Sequence, residues 1–503
     1  MQTRDCPHYF ANVMSYTRLF HLIARKIKVE SAIARNSLFL MLAEVVRVGV
    51  SFYLSVRLGR YLQPEGQGVF RFIVNYTILF AVLAEAGVSR VVVRAISRSP
   101  RSELNSYYTT LVYARILTTF TALAALTLSL FVLPASRVSG EVKFLTFVYM
   151  FSQFFQAWRK NAEAIWQATQ ELHYHAAFVI ANRVFTLAVV LTAISRGASL
   201  ATIVYLYVLG DLLDAAISTW YLHRRSVTIR LPALWQSALK LIYEGIPFAL
   251  QSYAQQLRYY FDVILIKFLV PDAAVRADRE IGLYGSAVPF VLSLQFVPMS
   301  IAGSIYPELS QRYKHNRPLF ESLARRSLTL LFLLGTSLAV GIYFGRELIM
   351  MSTFGKSFRD AIPMLGILAW EIPFFFLNIV SIVIFAACDK QNALTAVNTA
   401  ATVLKLVLCR ILIPSLGGIG AAWASVVAEL SCALVLGTLL WQAAPRAIPL
   451  KPFALILVVQ ATFCGLGITV QHNPVAIAVL ILVELIVSSA LLYLFYRRKL
   501  SLE

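Results

Sequence analysis

A chain of 503 residues with 59% apolar and only 14% charged side chains, at a mean hydropathy of +0.71, is excluded from the soluble globular proteins and reads as an integral membrane protein. Its formal net charge of +20 calls for no nucleic-acid partner. Basic residues that set topology and touch an anionic inner leaflet account for most of it.

In chain order, residues 1–33 form a cytoplasmic or interfacial N-terminal segment. Tyr9, Phe10, Leu19, Phe20, Leu22 and Ile23 are mixed with Arg18, Arg25, Lys26 and Lys28, which suits a helix lying on an anionic leaflet or, equally, a solvated tail. No short hydrophobic segment with a small-residue cleavage site precedes the first long apolar run, so that run is expected to act as its own insertion signal. A helix needs about 20 apolar residues to cross the hydrocarbon core. Runs of that length, broken by Pro, Gly or charge, fall roughly at 34–58, 67–97, 106–133, 142–168, 173–195, 199–222, 238–270, 281–308, 323–345, 360–388, 391–414, 418–441, 452–471 and 475–496. The expected fold class is an all-α polytopic membrane protein with about fourteen transmembrane helices.

An even number of spans puts both termini on one side. The N-terminal segment, Arg224, Arg225, Arg230 and Lys240, then Arg312, Lys314, Arg317, Arg325 and Arg326, and finally Arg497, Arg498 and Lys499 all fall on the same face, which the positive-inside rule makes cytoplasmic. Arg90, Arg94, Arg98 and Arg101 follow a span toward that face and read as topology signals. The expected location is a bacterial plasma membrane.

The stretch 58-LGRYLQPEGQGVFRF-72 is an unusually polar break, expected to be the short outer turn between the first two spans. It has an echo: 65-EGQGVF-70 follows the first span and 279-REIGLY-284 follows the seventh, so Gly68 and Gly282 stand 214 positions apart. Gln170 and Asp389 match at 219, and Asp211 and Glu429 at 218. The expected organisation is therefore a six-helix half over 34–222, a cytoplasmic linker over 223–237, a second six-helix half over 238–441, and two extra helices over 452–496. Six spans per half make the repeat parallel and place a central cavity between the halves.

The segments 61-YLQPEGQGVFRF-72, 83-LAEAGVSRVVVRAISR-98, 281-IGLYGSAVPF-290, 384-IFAACDKQNAL-394 and 413-IPSLGGIGAAWASVVAE-429 resemble the polysaccharide flippases of the O-antigen and teichoic-acid type, within the multidrug/oligosaccharidyl-lipid/polysaccharide exporter superfamily. The resemblance runs from near residue 34 to the C-terminus with the segments in order. It implies movement of a lipid-linked oligosaccharide or polysaccharide precursor between leaflets by alternating access, without ATP hydrolysis by the chain. It implies no cofactor, and it implies membrane lipid and the glycan carrier as partners, with a polysaccharide polymerase and glycosyltransferases as possible ones.

A charge at a helix centre costs roughly 2.5–3.5 kcal/mol on insertion scales, so each calls for a partner or a wet cavity. The seventh span carries Gln251, Gln255, Arg258 and Asp262 on one face, the first carries Glu44, Arg47, Ser51 and Ser55, and the eleventh Asn398, Thr402 and Lys405. Arg and Lys suit a diphosphate, and Gln, Asn, Ser and Tyr suit sugar hydroxyls. Lys405, with no acidic neighbour on its own helix, is the first candidate for the anion. Arg258, Arg47, Gln255, Gln251, Asn398, Arg183 and Arg115 complete the candidate substrate set, and Glu44, Asp262 and Glu371 are candidates for ion coupling. A structural alternative stays open for Arg258 and Asp262, which at i and i+4 are spaced to neutralise each other.

Cys6, Cys388, Cys409, Cys432 and Cys464 are scattered and suit small core residues better than a disulfide framework. His173 and His175 point to different faces of a helix and gather no ligand cluster, so no metal site is expected. The nearest rival readings are a cation-coupled drug exporter and a lipid II flippase of the same superfamily. A membrane polymerase or glycosyltransferase is disfavoured, because its chemistry calls for a large outer loop and the loops here are short. The chain is therefore not expected to be an enzyme.

Overall fold

The structure, a computed structural model, describes residues 32–225, 227–229, 235–271, 273–470 and 473–497. Residues 1–31 of the expected interfacial segment lie outside the described residues. The described chain is helical throughout its apolar runs: α1 (Ala32–Glu85), α2 (Val88–Ile96), α3 (Leu104–Val132), α4 (Gly140–Ala168), α5 (Leu172–Ser195), α6 (Leu200–Arg224), α7 (Trp235–Leu269) and α8 (Ala274–Leu292). There follow α9 (Phe296–His315), α10 (Arg317–Thr353), α11 (Ile362–Ala369), α12 (Glu371–Ala387), α13 (Gln391–Leu416), α14 (Gly418–Ala443), α15 (Leu450–Val470) and α16 (Pro474–Arg497). Every expected span has its helix or helix pair.

Among the described residues nine helical stretches are long and apolar enough to cross a membrane, or ten if the pair α11–α12, bent by 41°, is one span. That test passes over α4 and α7, and the reason is physical. Both carry charges such as Arg159, Glu163, Arg258 and Asp262 that are half-buried or buried against other helices. A helix shielded by its neighbours needs less apolar surface than one facing lipid. Conversely α1, 54 residues long, is roughly 80 Å of helix at 1.5 Å per residue and has room for two crossings.

The short turn expected between the first two spans is a break one residue long. Gln63 takes φ 59 and ψ 172 inside otherwise continuous helix, followed by Pro64. Proline has no N–H to give the carbonyl four residues back and its ring collides with that carbonyl. The freed Arg60 carbonyl is taken by the Gln63 side chain, whose Nε2 donates to it at 2.7 Å. Arg60 itself donates through Nε and Nη2 to the carbonyls of Thr353 and Ser352 at the end of α10. The basic loop expected over 312–326 is likewise almost wholly helical, with only Asn316 between α9 and α10.

The spacing of 214 becomes a physical contact. A Cβ placed on Gly68 would lie 1.7 Å from the backbone oxygen of Asp278, and one on Gly282 would lie 1.8 Å from that of Pro64. Positions 64 and 278, like 68 and 282, are 214 apart, so α1 and α8 cross reciprocally, each carbonyl resting on the other helix's glycine. Glu65 and Arg279, also 214 apart, close the crossing with an ion pair of 2.8 Å. A second backbone approach joins α2 and α7: a Cβ on Gly245 would lie 2.2 Å from the oxygen of Ala86, and one on Gly87 2.5 Å from that of Gly245.

The turns repeat as well. Gln170, after α4, and Asp389, after α12, both adopt positive φ, 62° and 57°, which non-glycine residues rarely do. Each turn is closed in the same way, by Glu171 N to Trp166 O at 2.7 Å and by Lys390 N to Phe385 O at 3.0 Å. The C-terminal pair α15 and α16 packs on α10, through Phe332, Leu333 and Ile456 at one level and Val340, Phe344 and Phe463 at another.

Candidate functional site

A cavity of about 180 Å³ lies within α1–α6, larger than a second one among α7, α8 and α11–α14. It is lined by Ser51, Ser55, Gln67, Arg71, Asn75, Tyr149, Arg183 and Tyr207 together with apolar side chains, and by no carboxylate. The i, i+4 spacing of Ser51 and Ser55 and of Gln67, Arg71 and Asn75 puts each set on one face of α1, before and after the break. Arg71 Nη2 donates to Ser55 Oγ at 2.7 Å, tying the two faces together. Among the described residues, Arg71 Nε and Gln67 Oε1 are buried without a hydrogen-bond partner. Among the described residues neither Arg71 nor Arg183 has a carboxylate at ion-pair distance. Gly285 of α8 makes room for Arg71, whose Cδ would lie 2.2 Å from a Cβ there. The cavity thus offers two guanidinium groups outside any ion pair, with hydroxyls and amides beside them.

The other cavity, about 20 Å³, lies among α7, α8, α11–α14 and holds the opposite arrangement. Asp262, Glu371, Lys405, Tyr259, Tyr284 and Ser425 line it. Lys405 Nζ lies 3.1 Å from Asp262 Oδ2 and donates to the Arg258 carbonyl at 2.6 Å. Tyr284 donates to the same Asp262 oxygen at 2.5 Å. Arg258 Nη2 lies 2.6 Å from Glu429 Oε1, and Nη1 donates to Asn398 Oδ1 at 2.8 Å. Asn378 donates to Glu429 Oε2 at 2.6 Å. Two cations therefore face three carboxylates. Glu371, first residue of α12 beyond the bend at Trp370 and 9% exposed, is the acid without an ion pair among the described residues.

The sequence-derived candidates separate on this geometry. Lys405 has no acid on its own helix, but α7 supplies Asp262, so its charge is already answered. The structural alternative left open for Arg258 and Asp262, that they neutralise each other, does not hold: Arg258 pairs with Glu429 of α14 and Asp262 with Lys405 of α13, because side chains on a packed helix face meet whatever lies opposite. Asn398 serves Arg258. Arg115 is fully buried away from both cavities, where it donates to the Ala84 carbonyl at 2.9 Å, Ser89 Oγ at 2.7 Å and Asn161 Oδ1 at 3.0 Å. It satisfies the carbonyl end of α1, a structural place. Arg47 and Glu44 pair within α1, Nε to Oε2 at 2.7 Å. Gln251 and Gln255 are exposed, with Gln251 3.5 Å from Arg90. Only Arg183 of the candidate cations lines the larger cavity. Arg71, Gln67 and Asn75 were missed although Arg71 and Gln67 stand in the polar break itself. The legible signal was their four-residue spacing beyond Pro64.

Residues 33–312 match the family model described as polysaccharide biosynthesis protein. The chain belongs to that family. A second family model, MatE, matches residues 247–411. The chain is 22% identical over 395 residues, 78% of its length and 80% of the relative's, to a probable low-salt glycan biosynthesis flippase, Agl15, of Haloferax volcanii. Among solved structures it is similar to the lipid II flippase MurJ in an inward closed conformation, at TM-score 0.71 and 16% identity, covering 92% of this chain and 99% of that one. It is also similar to an inward-facing multidrug resistance MATE transporter of the MOP superfamily, at TM-score 0.59 and 15% identity, covering 83% and 99%. Family and fold make the chain a multi-pass membrane protein of the polysaccharide biosynthesis family, with the fold of these transporters.

Proposed function

We propose that the protein moves a lipid-linked oligosaccharide or polysaccharide precursor across a bacterial plasma membrane by alternating access, with both termini in the cytoplasm. One observation supports the reading: the larger cavity is lined by Arg71 and Arg183, neither of them in an ion pair among the described residues, with hydroxyls and amides and no carboxylate in its wall. An unpaired cation inside a membrane protein is costly, and a ligand anion removes that cost. A diphosphate accepts paired N–H donors from each planar guanidinium, while Ser51, Ser55, Asn75 and Tyr207 suit sugar hydroxyls. Arg47, Gln251 and Gln255 lie on the faces of α1 and α7 and are proposed to guide the glycan. Lys405, Arg258 and Asn398 are proposed to shape the second cavity rather than to bind the anion.

In this reading the crossings at Gly68/Gly282 and at Gly87/Gly245 part in turn to open the two sides. The surplus carboxylate beside Lys405, Glu371, with Asp262 takes up the driving cation. Glu44, paired with Arg47, is the weaker coupling candidate. A polymerase and glycosyltransferases stand on either side of the step, consuming and supplying the lipid-linked glycan. The chain itself performs no covalent chemistry.

A cation-coupled drug exporter is the second reading, favoured by the carboxylates around Asp262. The charge of the larger cavity favours the first reading, since a cationic drug is repelled by Arg71 and Arg183. The test is a deletion strain complemented with Arg71→Ala plus Arg183→Ala at normal expression. Lipid-linked intermediates accumulate and surface glycan falls if the proposal holds; unchanged surface glycan overturns it. Cysteine labelling that found Arg312 and Lys314 on the outer side would overturn the orientation.

A further inference from the structure

Arg71 reaches the larger cavity from the seam between α1 and α8. A Cβ placed on Gly285 of α8 would lie 2.2 Å from Arg71 Cδ, 2.6 Å from Nε and 3.4 Å from Cζ, so the arginine runs through the space that a side chain at 285 would fill. Positions 71 and 285 are 214 apart, as are 68 and 282. The reciprocal crossing at Gly68 and Gly282 therefore brings 71 and 285 together about one turn further along each helix. The missing side chain on α8 hands the shared space to the arginine of α1.

The hydrogen bonds show what holds Arg71 there. Nη2 donates to Ser55 Oγ at 2.7 Å, while Nε, lying against the glycine, is buried without a hydrogen-bond partner among the described residues. The α8 backbone thus supports the side chain by packing alone. An arginine has about 2 kcal/mol of rotamer entropy to regain, so its pose depends on that support. The lining residues of the cavity all belong to α1, α4, α5 and α6. When the α1–α8 crossing parts they keep their own helices as neighbours, whereas Arg71 loses the surface it rests on.

We propose that Gly285 is a positioning residue for the substrate anion: it seats Arg71 in the larger cavity while the α1–α8 crossing is closed and withdraws that seat when the crossing parts. The anion is then held tightly in the closed form and loosely in the open one, so the movement that opens this side also releases the substrate there. By linkage, a bound anion favours the closed crossing by the same factor. The inference rests on the reading of Arg71 and Arg183 as anion ligands.

The experiment is calorimetric titration of the purified full chain in lipid nanodiscs with inorganic pyrophosphate, comparing wild type, Arg71→Ala, Arg183→Ala, Gly285→Ala and the double variant R71A/G285A. The atoms a methyl at 285 would meet belong to a flexible side chain, so G285A is expected to displace Arg71 and leave the helix in place. Pyrophosphate binding should weaken about tenfold in G285A, as in R71A, and R71A/G285A should bind no more weakly than R71A. Unchanged affinity in G285A, or a loss that adds to that of R71A, overturns the positioning role while leaving the anion reading intact. Wild-type affinity in both R71A and R183A overturns the anion reading and this inference with it. If G285A does not fold, Glu65→Arg is the second variant, setting two arginines against each other at the exposed pair with Arg279. It lies outside the cavity and must still weaken pyrophosphate binding; unchanged affinity overturns the proposal.

Discussion

The two bundles place a carboxylate at matching positions, Asp211 on α6 and Glu429 on α14, and answer it in opposite ways. Asp211 is met by neutral donors, Ser152 and Gln156, the latter at 3.0 Å. Glu429 is met by the guanidinium of Arg258 at 2.6 Å. In α7–α14 the buried basic charges Arg258, Lys267 and Lys405 are each met by a carboxylate and the space is nearly filled. In α1–α6 two arginines remain unspent around a cavity about nine times larger in volume. The lesson is that a basic residue in a span signals a ligand only where the packing leaves it without an acid.

That contrast can be broken experimentally. The largest effect is expected at the crossing the bundles share: Gly68→Ala or Gly282→Ala drives a Cβ into a backbone oxygen and is expected to cost about 3 kcal/mol or more. Both variants should lose folded yield to a similar degree in size-exclusion profiles, since the crossing is reciprocal. Unequal losses would deny the reciprocity. Next, Lys405→Ala leaves Asp262 buried and unpaired, a loss of about 3–5 kcal/mol, measured as a lower melting temperature in detergent. Adding Asp262→Asn should recover part of it.

Arg71→Ala and Arg183→Ala should do the reverse. Each is expected to change stability by less than about 1 kcal/mol, having no ion pair to lose, while glycan transport falls about tenfold or more, the worth of a charged hydrogen bond. A variant that melted early and transported normally would put these arginines in the structural class with Lys405. The smallest effect is expected at the exposed pair Glu65–Arg279, where Arg279→Gln should cost under about 1 kcal/mol. The measurement is again the melting temperature, and a large drop would show that the pair does more than close the α1–α8 crossing.

Much of the fold was legible. Apolar runs of membrane-spanning length placed every described helix, and the echo of EGQGVF in REIGLY marked the two segments that touch at Gly68 and Gly282. The positive φ values at Gln170 and Asp389 fall where the sequence spacing had already paired them. The turn expected over 58–72 narrows to Gln63 and Pro64, because Pro and Gly announce a break in the helix but do not say how many residues it takes. Less of the candidate site was legible. Polar stripes on α1, α7 and α13 were real, yet Lys405 looked unpaired because its acid lies on another helix, and Arg71 was overlooked inside a stretch valued only as a marker.

By itself the sequence determined a helical membrane protein with an internal echo, because hydrocarbon admits few backbone solutions and hydropathy reports them directly. Only the tertiary structure decided which buried charges neutralise one another and which remain. Pairing depends on which helix faces which across a few ångströms, and the one-dimensional spacing of side chains does not carry that distance.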